Sequence, residues 1–182
     1  MSENLRALVT GASGGLGAEI ARVLASEGFD LLLVARSEPK LQALKVELET
    51  AHGIEAQAFP CDLSREDAAL DVYDCVLGRG MCIDALVNNA GFGDSGVFHE
   101  ADWFRQRDMV QVNVIALMQL TRLFVPPMVK RRCGMALNLS SVAAFSAGPY
   151  MSVYYATKAY VLSFSEALAE ELRGTGVTVT AL

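Results

Sequence analysis

The chain predicts an open, doubly wound α/β fold. Three observations carry that prediction. Short apolar runs alternate with helical patterns along the whole sequence. The runs are near-continuous rather than alternating, as in a parallel sheet covered by helices on both faces. A glycine-rich stretch, TGASGGLG (10–17), separates the first run from the first helical pattern. That is where such folds bind nucleotide phosphates.

Each element follows in order. LRALVT (5–10) is a strand, and Leu16, Ile20, Val23 and Leu24 then recur at helical spacing. DLLLVAR (30–36) is a second strand. Ser37 and Pro39 start the next helix, which carries Leu41, Leu44 and Leu48. IEAQAFP (54–60) is a strand, and 65–80 is a helix ended by glycine. IDALVNNAG (83–91) is a fourth strand with a turn. Residues 102–132 form a long helix that the sequence predicts to be interrupted near Pro126 and Pro127. GMALNLSS (134–141) is a fifth strand, 153–174 a helix closed by Gly174, and VTVTAL (177–182) a sixth strand.

Composition bounds the function. The 182 residues suit one domain over 1–182 with a sizeable core. At 52% hydrophobic and 20% charged residues, the chain is globular rather than disordered. The net charge of −6 and the absence of a long basic run argue against a nucleic-acid face. Lys130, Arg131 and Arg132 read as a solvated helix end. No uninterrupted apolar run reaches the ~18–20 residues of a membrane span, and the N-terminus lacks the pattern of a signal peptide. Cys61, Cys75, Cys82 and Cys133 form no C-x-x-C pair, and His52 and His99 are the only histidines. No metal site is expected, and reduced thiols fit a cytoplasmic protein.

The glycines of TGASGGLG allow a tight turn and a close backbone approach to a pyrophosphate, while the free N–H groups of the following helix face the anion. The spacing is Gly11-x-x-x-Gly15-x-Gly17, not the commoner G-x-G-x-x-G, and by itself it is weak evidence. The end of the second strand selects the dinucleotide. An acid there would hold the ribose hydroxyl of NAD; an arginine accommodates the extra phosphate of NADP. This chain has Ala35-Arg36, with Asp30 at the opposite end of the strand. NADP is therefore expected, with Arg36 as phosphate ligand and Ser13 as a second donor.

TGASGGLG, NNAG (88–91), Asn113, LNLSS (137–141) and Tyr-x-x-x-Lys (154–158) occur in that order. Together they resemble the short-chain dehydrogenase/reductase family, and the resemblance covers essentially the whole chain. It implies a Rossmann fold. It also implies a cofactor site made by Gly11, Ser13, Gly14, Gly15, Leu16, Gly17 and Arg36. Asp62 would bond the adenine amine and Leu63 would pack near it. Asn89, Ala90 and Gly91 would pass the adenosine ribose and phosphates. NNAG alone would read as a turn.

SVYYATKAY (152–160) poses a sharper question, because it holds three tyrosines and one lysine. Tyr154 lies four residues before Lys158 and Tyr155 three, so helical spacing leaves both within reach. The family pattern selects Tyr154, and Ser141, thirteen residues earlier, resembles the family's serine. Ser140 is its competitor. The chemistry suits these residue types. An ammonium beside a phenol favours the phenolate form, so the tyrosine exchanges a proton with a carbonyl oxygen as hydride is transferred. The serine hydroxyl bonds the same oxygen as its charge develops. The resemblance also implies that Lys158 holds the nicotinamide ribose, and that Asn113 helps hold a water linking the lysine to solvent. On its own, Asn113 reads as bonding a neighbouring helix carbonyl.

The expected function is an NADP-dependent oxidoreductase that interconverts a small-molecule carbonyl compound and an alcohol. The alternative is a dinucleotide-binding sensor without turnover. The helices at 102–132 and 153–174 are apolar on more than one face, so a homo-oligomer through them is expected. In the family, the sixth strand leads into a nicotinamide-bordering turn, a substrate-covering segment and one more strand. Those features do not follow Leu182. The expectation is that the 182 residues are part of a longer polypeptide, or that a partner covers this edge. The 182 residues alone should then keep adenosine-side affinity with little activity.

Overall fold

The computed structural model describes residues 5–182. Six strands form one parallel sheet: β1 (Arg6–Thr10), β2 (Asp30–Ala35), β3 (Ala56–Pro60), β4 (Ala85–Asn88), β5 (Gly134–Asn138) and β6 (Val177–Ala181). Their order is β3-β2-β1-β4-β5-β6, so the winding reverses between β1 and β4. A crevice at the carboxyl ends of the strands follows from that reversal.

Alternation along the strands divides the core. Ala7 and Val9 of β1, with Leu31 and Leu33 of β2, pack under α1 (Gly15–Ser26) and α2 (Glu38–His52). Leu8, Leu32, Val34 and Leu86 face the other way. They meet α3 (Ala68–Gly78) and a long helix through Val72, Val76, Leu120, Phe124 and Met128. The central strands β1, β2 and β4 are thus buried on both faces, which is why their sequences read as unbroken apolar runs. The last helix, α6 (Ser152–Glu171), packs on β5 and β6.

Three expectations need correction. The helix expected over 65–80 starts at Ala68, because the Asp62 carboxylate accepts from the Ser64 N–H and hydroxyl (3.0 and 2.9 Å) and holds the chain in a turn. The long helix does not break at Pro126 and Pro127. It runs unbroken through α4 (Trp103–Val110), a π-helical stretch (Gln111–Ala116) and α5 (Leu117–Arg131). The prolines deprive the carbonyls of Arg122 and Leu123 of donors, but neither residue is buried. The irregularity falls instead at Asn113. Finally, the edge strand β6 is not uniformly apolar. Val177 is buried while Thr178 and Thr180 are exposed.

The combined helix Trp103–Arg131 is long and apolar enough to cross a membrane by length and composition. One of its faces, through Val112, Ala116, Leu120 and Phe124, lies in the core against the sheet.

Candidate active site

The glycine turn begins where β1 ends. Gly11 has φ +68°, which favours glycine, and a Cβ on it would sit 2.6 Å from the Asn89 amide nitrogen and 2.9 Å from the Ala90 Cα. A Cβ on Gly17 would collide with the same Asn89 nitrogen and with the Gly11 carbonyl. These two glycines let the turn, α1 and the NNAG segment close on one another. Gly14 and Gly15 differ: a Cβ on either would meet nothing within 4 Å. Gly14 caps α1 without any side-chain bond to its N–H groups. The open backbone here, at a helix N-terminus, fits a phosphate group.

NNAG is fastened to this turn. The Thr10 hydroxyl accepts from the N–H groups of Asn89 and Ala90, both at 3.0 Å, and donates to the Val87 carbonyl at 3.1 Å. The Asn89 amide donates to the carbonyls of Thr10 (2.9 Å) and Gly11 (3.3 Å). Its side chain therefore serves the turn. Asn88 points into the core and bonds Thr121 and Asn138.

Two adjoining clefts open at the carboxyl ends of the strands. One, of about 510 Å³, is lined by Gly11, Ser13, Arg36, Asp62, Leu63, Ala90 and Gly91. Cys61 lies in its wall, and burial pushes its thiol up to about 11, so it stays protonated at neutral pH. Arg36 is exposed after β2. Asp30, at the far end of that strand, instead accepts from the Glu55 N–H at 2.8 Å. The second cleft, of about 350 Å³, is lined by Leu16, Asn89, Gly91, Phe92, Ser141, Tyr154 and Lys158. Gly91 and Phe92 line both.

The structure separates the three tyrosines. Tyr154 lies in the second cleft. Tyr155 packs over Gly148, where a Cβ would strike its ring, and stands edge-on to Tyr154 with centroids 6.2 Å apart. Tyr160 stacks on Phe164 with centroids 5.8 Å apart. The two serines also separate. The Ser140 hydroxyl donates to the Lys158 carbonyl at 2.9 Å. The Ser141 oxygen accepts from the Ala143 N–H at 3.1 Å, which leaves its hydrogen available to the cleft.

Lys158 is only 6% exposed, and its ammonium donates to the Leu139 carbonyl at 2.7 Å. It lies 5.9 Å from the centre of the Tyr154 ring. Burial lowers its pKa, since low dielectric disfavours the charged form. Asn113 is buried and lines neither cleft. It does not bond a helix carbonyl, as a lone asparagine there would be expected to. Its amide crosses to the Phe92 carbonyl (2.9 Å), accepts from the Phe92 N–H (3.0 Å) and donates to the Thr157 hydroxyl (3.1 Å). A Cβ on Gly91 would lie 3.1 Å from the Asn113 oxygen and 3.6 Å from the Lys158 nitrogen, so all three meet at one point.

Sequence reasoning missed Thr10, Phe92 and Thr157. Thr10 sat inside the glycine motif, and Thr157 lay within Tyr-x-x-x-Lys as a polar residue on a buried helix face. Phe92 carried no sequence signal, because its role rests on its backbone.

The family model for short chain dehydrogenases matches residues 6–182. The chain belongs to the short-chain dehydrogenase family. Among similar family members is the very-long-chain 3-oxoacyl-CoA reductase of Neurospora crassa, 36% identical over 176 residues that make up 95% of this chain and 53% of that protein. The chain thus spans about half the length of that relative. Among solved structures, the short-chain dehydrogenase of Sphingobium yanoikuyae in complex with NADPH superimposes with a TM-score of 0.92. It is 36% identical, and the match covers 97% of this chain and 69% of that one. A metagenomic short-chain oxidoreductase in complex with NADP gives 0.91 at 38% identity, covering 97% and 80%.

Proposed function

We propose that this short-chain dehydrogenase is an NADP(H)-dependent oxidoreductase that interconverts a carbonyl compound and an alcohol. One observation carries the reading: Ser141, Tyr154 and Lys158 share a cleft that adjoins the one lined by the glycine turn and Arg36. The NADPH and NADP complexes of the two similar structures support the choice of cofactor.

Gly14, Gly15 and the start of α1 would hold the pyrophosphate. Arg36 and Ser13 would hold the extra phosphate, and Asp62 and Leu63 the adenine. When bound, the cofactor supplies the hydride to the carbonyl carbon, so that carbonyl, NADPH and one proton give alcohol and NADP⁺. Tyr154 gives its hydroxyl proton to the carbonyl oxygen and regains one from solvent. Ser141 donates a hydrogen bond to that oxygen as its charge develops. The Lys158 ammonium stabilises the tyrosinate left behind, more strongly for being buried. Asn113 holds Phe92 and Thr157, and through them the wall of the cleft.

The groove of Val110, Val114, Val153 and Ala156 between α4, the π-helical stretch and α6 is the proposed contact with a second copy, in a cytoplasmic homo-oligomer. The test of function is NADPH oxidation with a panel of ketones and aldehydes, alongside NADPH binding by calorimetry. Turnover of any of them supports the reading. Tight NADPH binding with no turnover would replace it with a cofactor sensor.

A further inference from the structure

Successive residues after β4 meet different side chains of the site. Gly91 faces the Asn113 oxygen and the Lys158 nitrogen, and the Phe92 N–H and carbonyl are both held by the Asn113 amide. A Cβ on Gly93 would lie 3.2 Å from the Tyr154 ring. The Asp94 carboxylate accepts from the Arg105 Nε at 2.8 Å. Residues 91–94 therefore form a strap laid against Asn113, Lys158 and Tyr154. Phe92, in its middle, lines both clefts.

The two ends of the strap are fixed by different means. Asn113 holds the inner end and is only 1% exposed. The outer end rests on the Asp94–Arg105 pair, and beyond it the Gly96 N–H donates to the Tyr150 carbonyl at 2.8 Å. Arg105 makes two contacts at once. Its guanidinium lies 5.3 Å from the centre of the Phe92 ring while its Nε bonds Asp94. A cation over an aromatic face is attracted to it, so the pair grips the strap by a side chain at Phe92 and by a carboxylate at Asp94.

Neither the helix nor overall stability accounts for an arginine at this place. Asp102 starts α4 by accepting from the Phe104 N–H at 2.9 Å, which puts Arg105 in the first turn. A cation there opposes the positive end of the helix dipole. The Arg105 side chain is 54% exposed and that of Asp94 22%. An ion pair so open to solvent adds little to folding.

We infer that Asp94 and Arg105 are positioning residues. The carboxylate aims the guanidinium across Phe92, the pair fixes the outer end of the strap, and the strap seats the Tyr154 ring in the smaller cleft. Both residues act through Phe92 and Gly93, not on the reacting atoms. The inference rests on the oxidoreductase reading, in which Tyr154 is the proton donor.

The test is a double-mutant cycle of Arg105→Ala and Asp94→Ala. Each single variant should lower kcat about fivefold, and the double variant by no more than either, with NADPH affinity unchanged by calorimetry. Unchanged kcat would overturn the inference. Additive losses would do the same, since the two residues would then act apart. A loss of NADPH affinity in Arg105→Ala alone would also overturn it, by making Arg105 a ligand of the cofactor. So would kcat losses that merely follow thermal stability. NMR of ring-labelled tyrosine reads the seat without turnover, with the Tyr154 signal assigned by its loss in Tyr154→Phe. That signal should shift in both single variants. Those of Tyr73 and Tyr160, packed on Phe124 and Phe164, should stay. An unmoved Tyr154 signal overturns the inference whatever the kinetics. If the parent protein reduces no carbonyl compound and the Tyr154 signal still shifts, the oxidoreductase reading fails and the strap stands.

Discussion

The two adjoining clefts are built from different materials. The larger is shaped by backbone: the turn at Gly11, the bare start of α1 at Gly14 and Gly15, and the segment at Ala90 and Gly91. Of the two arginines that line it, Arg36 stands exposed after β2, while Arg105 is bonded to Asp94. The smaller cleft owes its chemistry to side chains from separate elements, with Ser141 after β5 and Tyr154 and Lys158 on α6. Its ammonium is buried. A backbone cradle tolerates exchange of any side chain that does not fill it, whereas a side-chain site depends on single atoms. The two clefts should therefore fail in different ways.

The largest effect should come from one oxygen. Tyr154→Phe should lower kcat by roughly 10²–10⁴-fold while NADPH binding, followed by calorimetry, stays unchanged. Tyr155→Phe should be mild, because that ring packs over Gly148. If the two variants exchange behaviour, the assignment of proton donor moves by one residue along α6.

Filling the cradle should act on structure first. Gly17→Ala sets a methyl against the Asn89 amide and the Gly11 carbonyl. It should destabilise the protein by about 1–3 kcal/mol in chemical denaturation and weaken NADPH and NADH alike. Gly14→Ala, which meets no atom within 4 Å, is the control and should unfold as the parent does. Equal losses in both variants would remove the contrast between a packed and an open glycine.

Arg36→Ala should weaken NADPH about tenfold through loss of a charge-assisted bond, and leave NADH nearly unchanged. Equal loss for both cofactors, measured by fluorescence titration, would make Arg36 a structural residue.

The smallest effect is one of pH. Burial places the folded-state pKa of Lys158 below its unfolded value. Between the two, the unfolded chain binds more protons, so stability rises with pH up to the ordinary lysine value of 10.5. Lys158→Met should lack that rise. Thermal unfolding of both proteins across the alkaline range checks it, and parallel curves would mean that the ammonium is not desolvated as its burial indicates.

Much of the fold is legible in the sequence for a physical reason. A parallel sheet buries both faces of its strands, so Ala7 to Thr10, Leu31 to Ala35 and Ala85 to Asn88 declare themselves as apolar runs. Glycines needed for a tight turn stand together in the chain. Helical spacing puts Lys158 within reach of both Tyr154 and Tyr155 but cannot choose between them. The family pattern selects Tyr154, which lines the smaller cleft, while Tyr155 packs over Gly148.

By itself, the sequence determined the features that local periodicity sets: the alternation of strands and helices, the glycine turn, and the company of tyrosine and lysine on one helix. The tertiary structure alone decided whatever depends on contacts between distant segments. It spent the Ser140 hydroxyl on the Lys158 carbonyl and left that of Ser141 available. It tied Asn89 to the glycine turn and Asn113 to Phe92. It moved the irregularity of the long helix from the prolines to Asn113. A hydroxyl or amide has several partners of nearly equal energy, and only the packed chain determines which of them lies within hydrogen-bonding distance.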